Sequence, residues 1–237
     1  MSSALANRLR EKYYDDRSHP YRLFERRVES LLGPQTQVLL DAGCGRTAPV
    51  LRKFHGKVDR LIGIEMVPFT DLPDFVETYN ADLANIPLPS ASVDLIMSRS
   101  VFEHLTDPIS VYVELARILK PGGKLVFLTA SMWDYGTLIA RLVPNRYHAG
   151  VVRRVEGRKE EDTFPTAYKT NTRKDVDRLA EKAGLAVSDF QYLSQYPNYL
   201  LFNGALFALG MVYEKIIARV NALRALRGWI LVTLHKP

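Results

Sequence analysis

Residues 38–49 read VLLDAGCGRTAP. An uninterrupted apolar run ends on Asp41, turns through Gly43 and Gly45, and passes into a helical pattern. The run has the length of a strand buried on both faces. Glycines in the turn let the backbone bend tightly and approach a ligand with no Cβ in the way. A helix starting just beyond adds free N–H groups. Ordinary strand-to-helix turns share that pattern, so the neighbours decide. Glu65 closes the next strand, where an acid suits the two hydroxyls of a ribose. A nicotinamide dinucleotide would want a third glycine near Ala48, but the loop reads GCGRTA behind an acid. A carboxylate repels a pyrophosphate and welcomes a cation. The residue types favour a positively charged nucleoside.

Outward from this loop, strands are expected at 37–42, 60–65, 92–98 and 124–129, with helices at 48–54 and 108–120. In the second helix Ile109, Val113, Ala116 and Leu119 are expected to line the buried face, behind Asp107 as N-cap and Pro108 at the first position. A further helix at 172–183 ends at Gly184, followed by strands at 186–194 and 228–235. Strands alternating with helices give βαβ units and a parallel sheet.

Four stretches in order, LDAGCGRT, IGIE, ADLANIPLPSASVDLIMS with VFEHL, and ARILKPGGKLVFLT, resemble the class I S-adenosylmethionine-dependent methyltransferases of the type 11 group. The resemblance covers about residues 36–130. It implies an α/β fold: a seven-stranded, mostly parallel Rossmann-like sheet with helices on both faces and an antiparallel last strand. A lid insertion and a C-terminal helical insertion would complete a single domain over 1–237. It also implies S-adenosyl-L-methionine as cofactor. Asp41, Ala42, Gly43, Cys44 and Gly45 would hold the methionyl part, Glu65 the ribose hydroxyls, and Asp82 with Leu83 the adenine; Met66 also counts among the cofactor-binding residues. Ser98 and Arg99 would line the amino-acid end. Thr47 departs from the pattern, since many relatives carry a third glycine there. Cys44 reads as small filler rather than a nucleophile.

Methyl transfer to a hydroxyl needs a base, and His104 in VFEHL follows the fourth strand at the ligand-facing end of such a sheet. His104 is therefore the catalytic candidate; a structural hydrogen-bonding role is the alternative. Tyr14, His19, Glu103 and His148 are candidates for the acceptor side. The N-terminal segment, residues 1–35, reads as a lid and helix, with Tyr14, Arg17 and Tyr21 either closing over the cofactor or packing on the sheet.

Composition bounds the rest. The 237 residues are 47% hydrophobic and 24% charged, as in an ordinary globular protein, and the one cysteine excludes a disulfide framework and a cysteine-rich zinc site. No metal is expected. The opening MSSALANRLREKYYDD is too densely charged for a secretory signal, so a cytoplasmic protein is expected. The net charge of +6 is uneven: residues 31–140 carry −3, 141–174 carry +5 and 199–237 carry +4. A basic surface suits nucleic acid, anionic lipid or a phosphorylated substrate, or serves solubility alone.

Residues 131–171 are too long for a simple connection and read as a substrate-side insertion. Residues 199–227 open with an apolar stretch to Tyr213, then carry Lys215, Arg219, Arg224 and Arg227. That order suits an apolar helix followed by a basic amphipathic one, peripheral at the inner face of an anionic membrane. A pocket cap and a homodimer seam are the competing readings. The expected activity is methyl transfer to a small-molecule or lipid- or glycan-linked acceptor, at oxygen ahead of nitrogen. An RNA methyltransferase and a non-catalytic scaffold are the alternatives, and nucleic acid ranks low because no RNA-binding appendage is evident.

Overall fold

The computed structural model describes residues 3–137 and 164–237. Its chain falls into two compact units. One, residues 23–129, 167–191 and 231–237, carries the sheet; the other, residues 1–22, 130–166 and 192–230, is helical in most of its described part.

Strands β1 (Val38–Ala42), β2 (Arg60–Glu65), β3 (Val76–Asn80), β4 (Val93–Arg99), β5 (Leu119–Ala130), β6 (Ala186–Leu193) and β7 (Trp229–His235) form one sheet in the order β3-β2-β1-β4-β5-β7-β6. The first five run parallel, with Asp41 beside Gly63 on one side and Met97 on the other. Gly122 and Gly123 pair with Lys236 at one end of β5, and Ser131 with Gly228 at the other, so β7 runs antiparallel. β1 is buried along its whole length, as its unbroken apolar run requires. Phe102 stacks on Phe127 at 4.1 Å between ring centroids, sealing the core beside β4 and β5.

Helices among the described residues include α1 (Ala4–Tyr13), α2 (Pro20–Leu31), α3 (Pro108–Ile118), α4 (Arg173–Lys182) and α5 (Gly204–Arg219). Thr172 caps α4 by accepting the Asp175 amide, and Gly184 follows with φ +71°.

Four expectations need correction. Residues 48–54 form no α-helix, only a 3-10 turn at Leu51–Phe54, because Ala48 takes φ +45° and Pro49 follows it. In α3 the buried face carries Val111, Tyr112, Leu115 and Ile118; of the expected stripe Ala116 is buried, as is Leu119 just past the helix, while Ile109 is half-buried and Val113 exposed. Two apolar stripes overlap on that helix, and the bulkier one faces the core. Asp107 stands at the N-cap position but accepts from the Ser110 hydroxyl. Beyond α5 there is no second amphipathic helix, only a 3-10 segment at Asn221–Leu226. Strand β3 is the seventh strand that the resemblance implies, at a position the apolar pattern does not mark.

Candidate functional site

The parallel strands bring the loop and its candidate partners to one rim of the sheet. Asp41 and Ala42 end β1, Glu65 ends β2, Asp82 follows β3, and Ser98 and Arg99 end β4. Ligands of open α/β sheets sit beyond these carboxyl ends. Gly43 and Gly45 have φ +81° and +75°. A Cβ on Gly43 would stand 2.4 Å from the Val101 Cγ2, whereas one on Gly45 would enter open space. Steric fit demands the first glycine; the second leaves the backbone uncovered.

Glu65 ties this loop to β2. Its Oε2 accepts the Gly45 amide at 2.8 Å and its Oε1 the Met66 amide at 2.8 Å. The Gly43 and Cys44 amides donate to the Ile64 carbonyl, so the turn is held before any ligand arrives. Cys44 is buried; its Sγ fills the space where a Cβ on Gly63 would stand, and burial pushes the thiol up, which fits filler.

Asp41 is 2% exposed, and burial raises its carboxyl to about 7, with Arg99 opposing the rise and Glu65 adding to it. Such an acid lacks a full counter-charge and would gain one from a cation. Ser98 is buried and donates to the Ala42 carbonyl at 2.6 Å. Arg99 donates to Glu25 at 3.3 Å, and Lys53 shares that carboxylate. Asp82 is exposed and accepts the Ala84 amide, while Leu83 beside it is buried. Asn80 was missed by sequence reading: its amide donates to the carbonyls of Glu65 and Val67, fixing the exit of β2. Two acids, an uncovered glycine and small residues fit a cationic nucleoside such as S-adenosylmethionine.

His104 closes a 3-10 turn, Phe102–His104, just past β4, and is half-buried. Glu103 is buried, its carboxylate accepting from Thr129 at 2.6 Å, with Asn171 donating to the same hydroxyl. The Glu103 carbonyl takes the amides of Ala167 and Tyr168. Those bonds make Glu103 the anchor of the turn and argue against its role as a substrate contact. In the helical unit, His19 Nδ1 accepts the Tyr21 amide at the start of α2, a capping role. Tyr14 packs edge-on against Tyr196. His148 lies outside the described residues.

Among curated proteins, 27-O-demethylrifamycin SV methyltransferase of Amycolatopsis mediterranei is 29% identical over 133 residues, 49% of each chain. Malonyl-[acyl-carrier protein] O-methyltransferase of Serratia marcescens is 31% identical over 98 residues, 38% of this chain and 37% of that one. The chain thus spans half or less of the length of these relatives. Geranyl diphosphate C-methyltransferase from Streptomyces coelicolor, solved with S-adenosyl-L-homocysteine, superposes with a TM-score of 0.55 at 16% identity, over 90% of this chain and 76% of that one. It shares the fold. Residues 40–127, which hold the glycine loop, the β2 acid and the β4 exit, match the family described as Methyltransferase domain, so over that stretch the chain is similar to methyltransferases of that family.

Proposed function

We propose that the protein methylates a small-molecule or lipid- or glycan-linked acceptor, at oxygen ahead of nitrogen. The carrying observation is the buried Asp41 carboxyl beside the glycine loop, an acid that calls for a cation. S-adenosylmethionine supplies the methyl group on a sulfonium, already activated for displacement. The chain then has to hold, align and keep dry. Asp41 faces the positive charge, the Gly43–Gly45 backbone lies along the methionyl part, and Glu65 takes the ribose hydroxyls. Leu83 and Asp82 hold the adenine. His104 takes the proton of an acceptor hydroxyl on a ring nitrogen. O-methylation by two of the relatives supports oxygen as the acceptor atom. The test is a lysate incubated with methyl-labelled cofactor and separated into lipid, glycan, small-molecule and RNA fractions. Label in the first three supports the proposal. Label in RNA alone, or none at all, overturns it.

Recruitment to an anionic membrane belongs to the same proposal. On α5, Phe207, Met211 and Ile217 turn inward, while Leu206, Leu209, Val212 and Ile216 form an exposed stripe, Leu209 being 68% exposed. Lys215 and Arg219 flank that stripe, and Arg224 follows; all three are exposed. Arg227 is not available to a headgroup: its guanidinium donates to the carbonyls of Ile217, Ala218 and Tyr192, closing the end of α5. Among the described residues no helix is long and apolar enough to cross a membrane. Three cations at about 1 kcal/mol each, beside an apolar stripe, give reversible binding that salt screens. Anionic vesicles should co-sediment the protein at low salt and lose it at high salt. The triple Lys215/Arg219/Arg224→Gln variant should stay in the supernatant throughout. Equal, negligible sedimentation of the parent with anionic and neutral vesicles would leave the stripe to a pocket cap or a dimer seam.

A further inference from the structure

The described residues of the helical unit gather buried polar atoms that have no hydrogen-bond partner. Among the described residues five buried side-chain polar atoms lack a hydrogen-bond partner, and four of them, on Tyr14, Ser194, Glu214 and Trp229, belong to this unit. Folded proteins leave few such groups unpaired, so the concentration points to something that binds there.

Glu214 is the sharpest case. It lies on the inward face of α5 with Phe207 and Met211, is 4% exposed, and its Oε2 has no partner. Asp134, 5% exposed, is the other buried acid among the described residues of the unit. Its Oδ2 is committed to the amides of Gly136 and Thr137. The two carboxyls interact electrostatically, yet Glu214 Oε2 does not close onto Asp134. Tyr14 Oη is a second buried oxygen without a partner, and Glu214 acts on it. Tyrosine rings stand nearby: Tyr135 meets Tyr213 edge-on at 5.6 Å and Tyr199 at 6.4 Å, and Glu214 acts on both Tyr135 and Tyr213.

We infer that Glu214, Asp134 and Tyr14, flanked by the rings of Tyr135 and Tyr213, form a binding site for a protonated amine. An ammonium group brings up to three N–H donors and no acceptor, matching a set of oxygen acceptors. Its charge supplies what a buried carboxylate lacks, and aromatic faces attract it further. A metal ion fits less well, because no group of three or more candidate ligands occurs among the described residues. Burial and Asp134 raise Glu214 to about 8, so near neutrality it would ionise chiefly when a cation arrives. An amine held protonated has no free electron pair and is not methylated there; the site recognises the ligand, whichever reaction the chain performs. It stands apart from the cofactor assignment and survives its failure.

The test is calorimetric titration of the full chain with benzylammonium, against benzyl alcohol as the uncharged counterpart of similar shape. The parent is expected to bind the amine and not the alcohol. Glu214→Gln, nearly the same size, should weaken amine binding about tenfold or more, the scale of one hydrogen bond to a charged group. Tyr14→Phe should weaken it less, and it carries the test if the first variant misfolds. Equal binding of amine and alcohol overturns the inference. So does no binding of the amine at millimolar concentration, which would leave the orphan atoms to buried water. Amine binding unchanged in both variants would also overturn it.

Discussion

Asp41→Asn should abolish cofactor binding while leaving the protein more stable than the parent at pH 8. The side chain keeps its size and loses only its charge. In the folded protein burial lifts the Asp41 carboxyl from 3.8 to about 7. The folded state therefore keeps this proton where the unfolded chain has released it. Stability is fully present below about 4 and is lost as pH rises through about 7. Above that, the buried charge costs on the order of 4 kcal/mol at most, since each tenfold change in proton affinity is worth about 1.4 kcal/mol. Removing it should raise Tm by several degrees at pH 8 and little at pH 4, at about 2–4 °C per kcal/mol for a chain of this size. The opposite is expected with S-adenosylmethionine present. Its cation should raise the parent's Tm and leave the variant's unmoved, because ligands that bind only the folded state stabilise it. A variant that keeps the full cofactor shift would detach Asp41 from the site. One that melts below the parent at pH 8 would show that the carboxylate is satisfied by its surroundings.

His104→Ala is expected to lower turnover by about 10²–10⁴-fold with the cofactor-induced Tm shift preserved. The separation follows from position: His104 lies past the end of β4, while the glycine loop and Glu65 belong to β1 and β2. The turn that carries it should survive, since Glu103 and Thr129 hold it through a buried hydrogen bond. Single-turnover kinetics with the identified acceptor, beside a thermal shift titration, reads both quantities. Turnover matching the parent's would make His104 structural. Loss of both together would make it a cofactor contact.

The sheet's centre was legible because β1, β2 and β4 are buried runs whose side chains leave no choice of environment. Strand β3 was missed because it is the shorter of the two edge strands. Its VETYN carries Glu77, Tyr79 and Asn80 in half-exposed or exposed positions, and only Val76 is buried. The sequence around Ala48 looks helical because local propensity does not register a positive φ imposed by the loop. Glu65, Asp41 and the two glycines could be named early because their chemistry is local to strand ends. Glu214 and Asp134 could not, since each became unusual only through burial by distant segments. One signal was there: Glu214 lies three and seven residues after Met211 and Phe207, a spacing that puts an acid on the apolar side of α5. Arg227 gave no such sign, because its acceptors are carbonyls near the end of a helix that had first to stop.

The three amides that Glu65 already accepts bear on how quickly cofactor changes places with its spent form. A carboxylate offers roughly four lone-pair sites; the Gly45 amide uses one on Oε2, while the Met66 amide and, at 3.5 Å, the Val67 amide share Oε1. On the proposed assignment, a ribose hydroxyl would meet the open site on Oε2, so arrival and departure break no bond within the loop. Exchange would then need no rearrangement of this strand end, and the slow event in a catalytic cycle would fall elsewhere, in chemistry or in the coming and going of the acceptor.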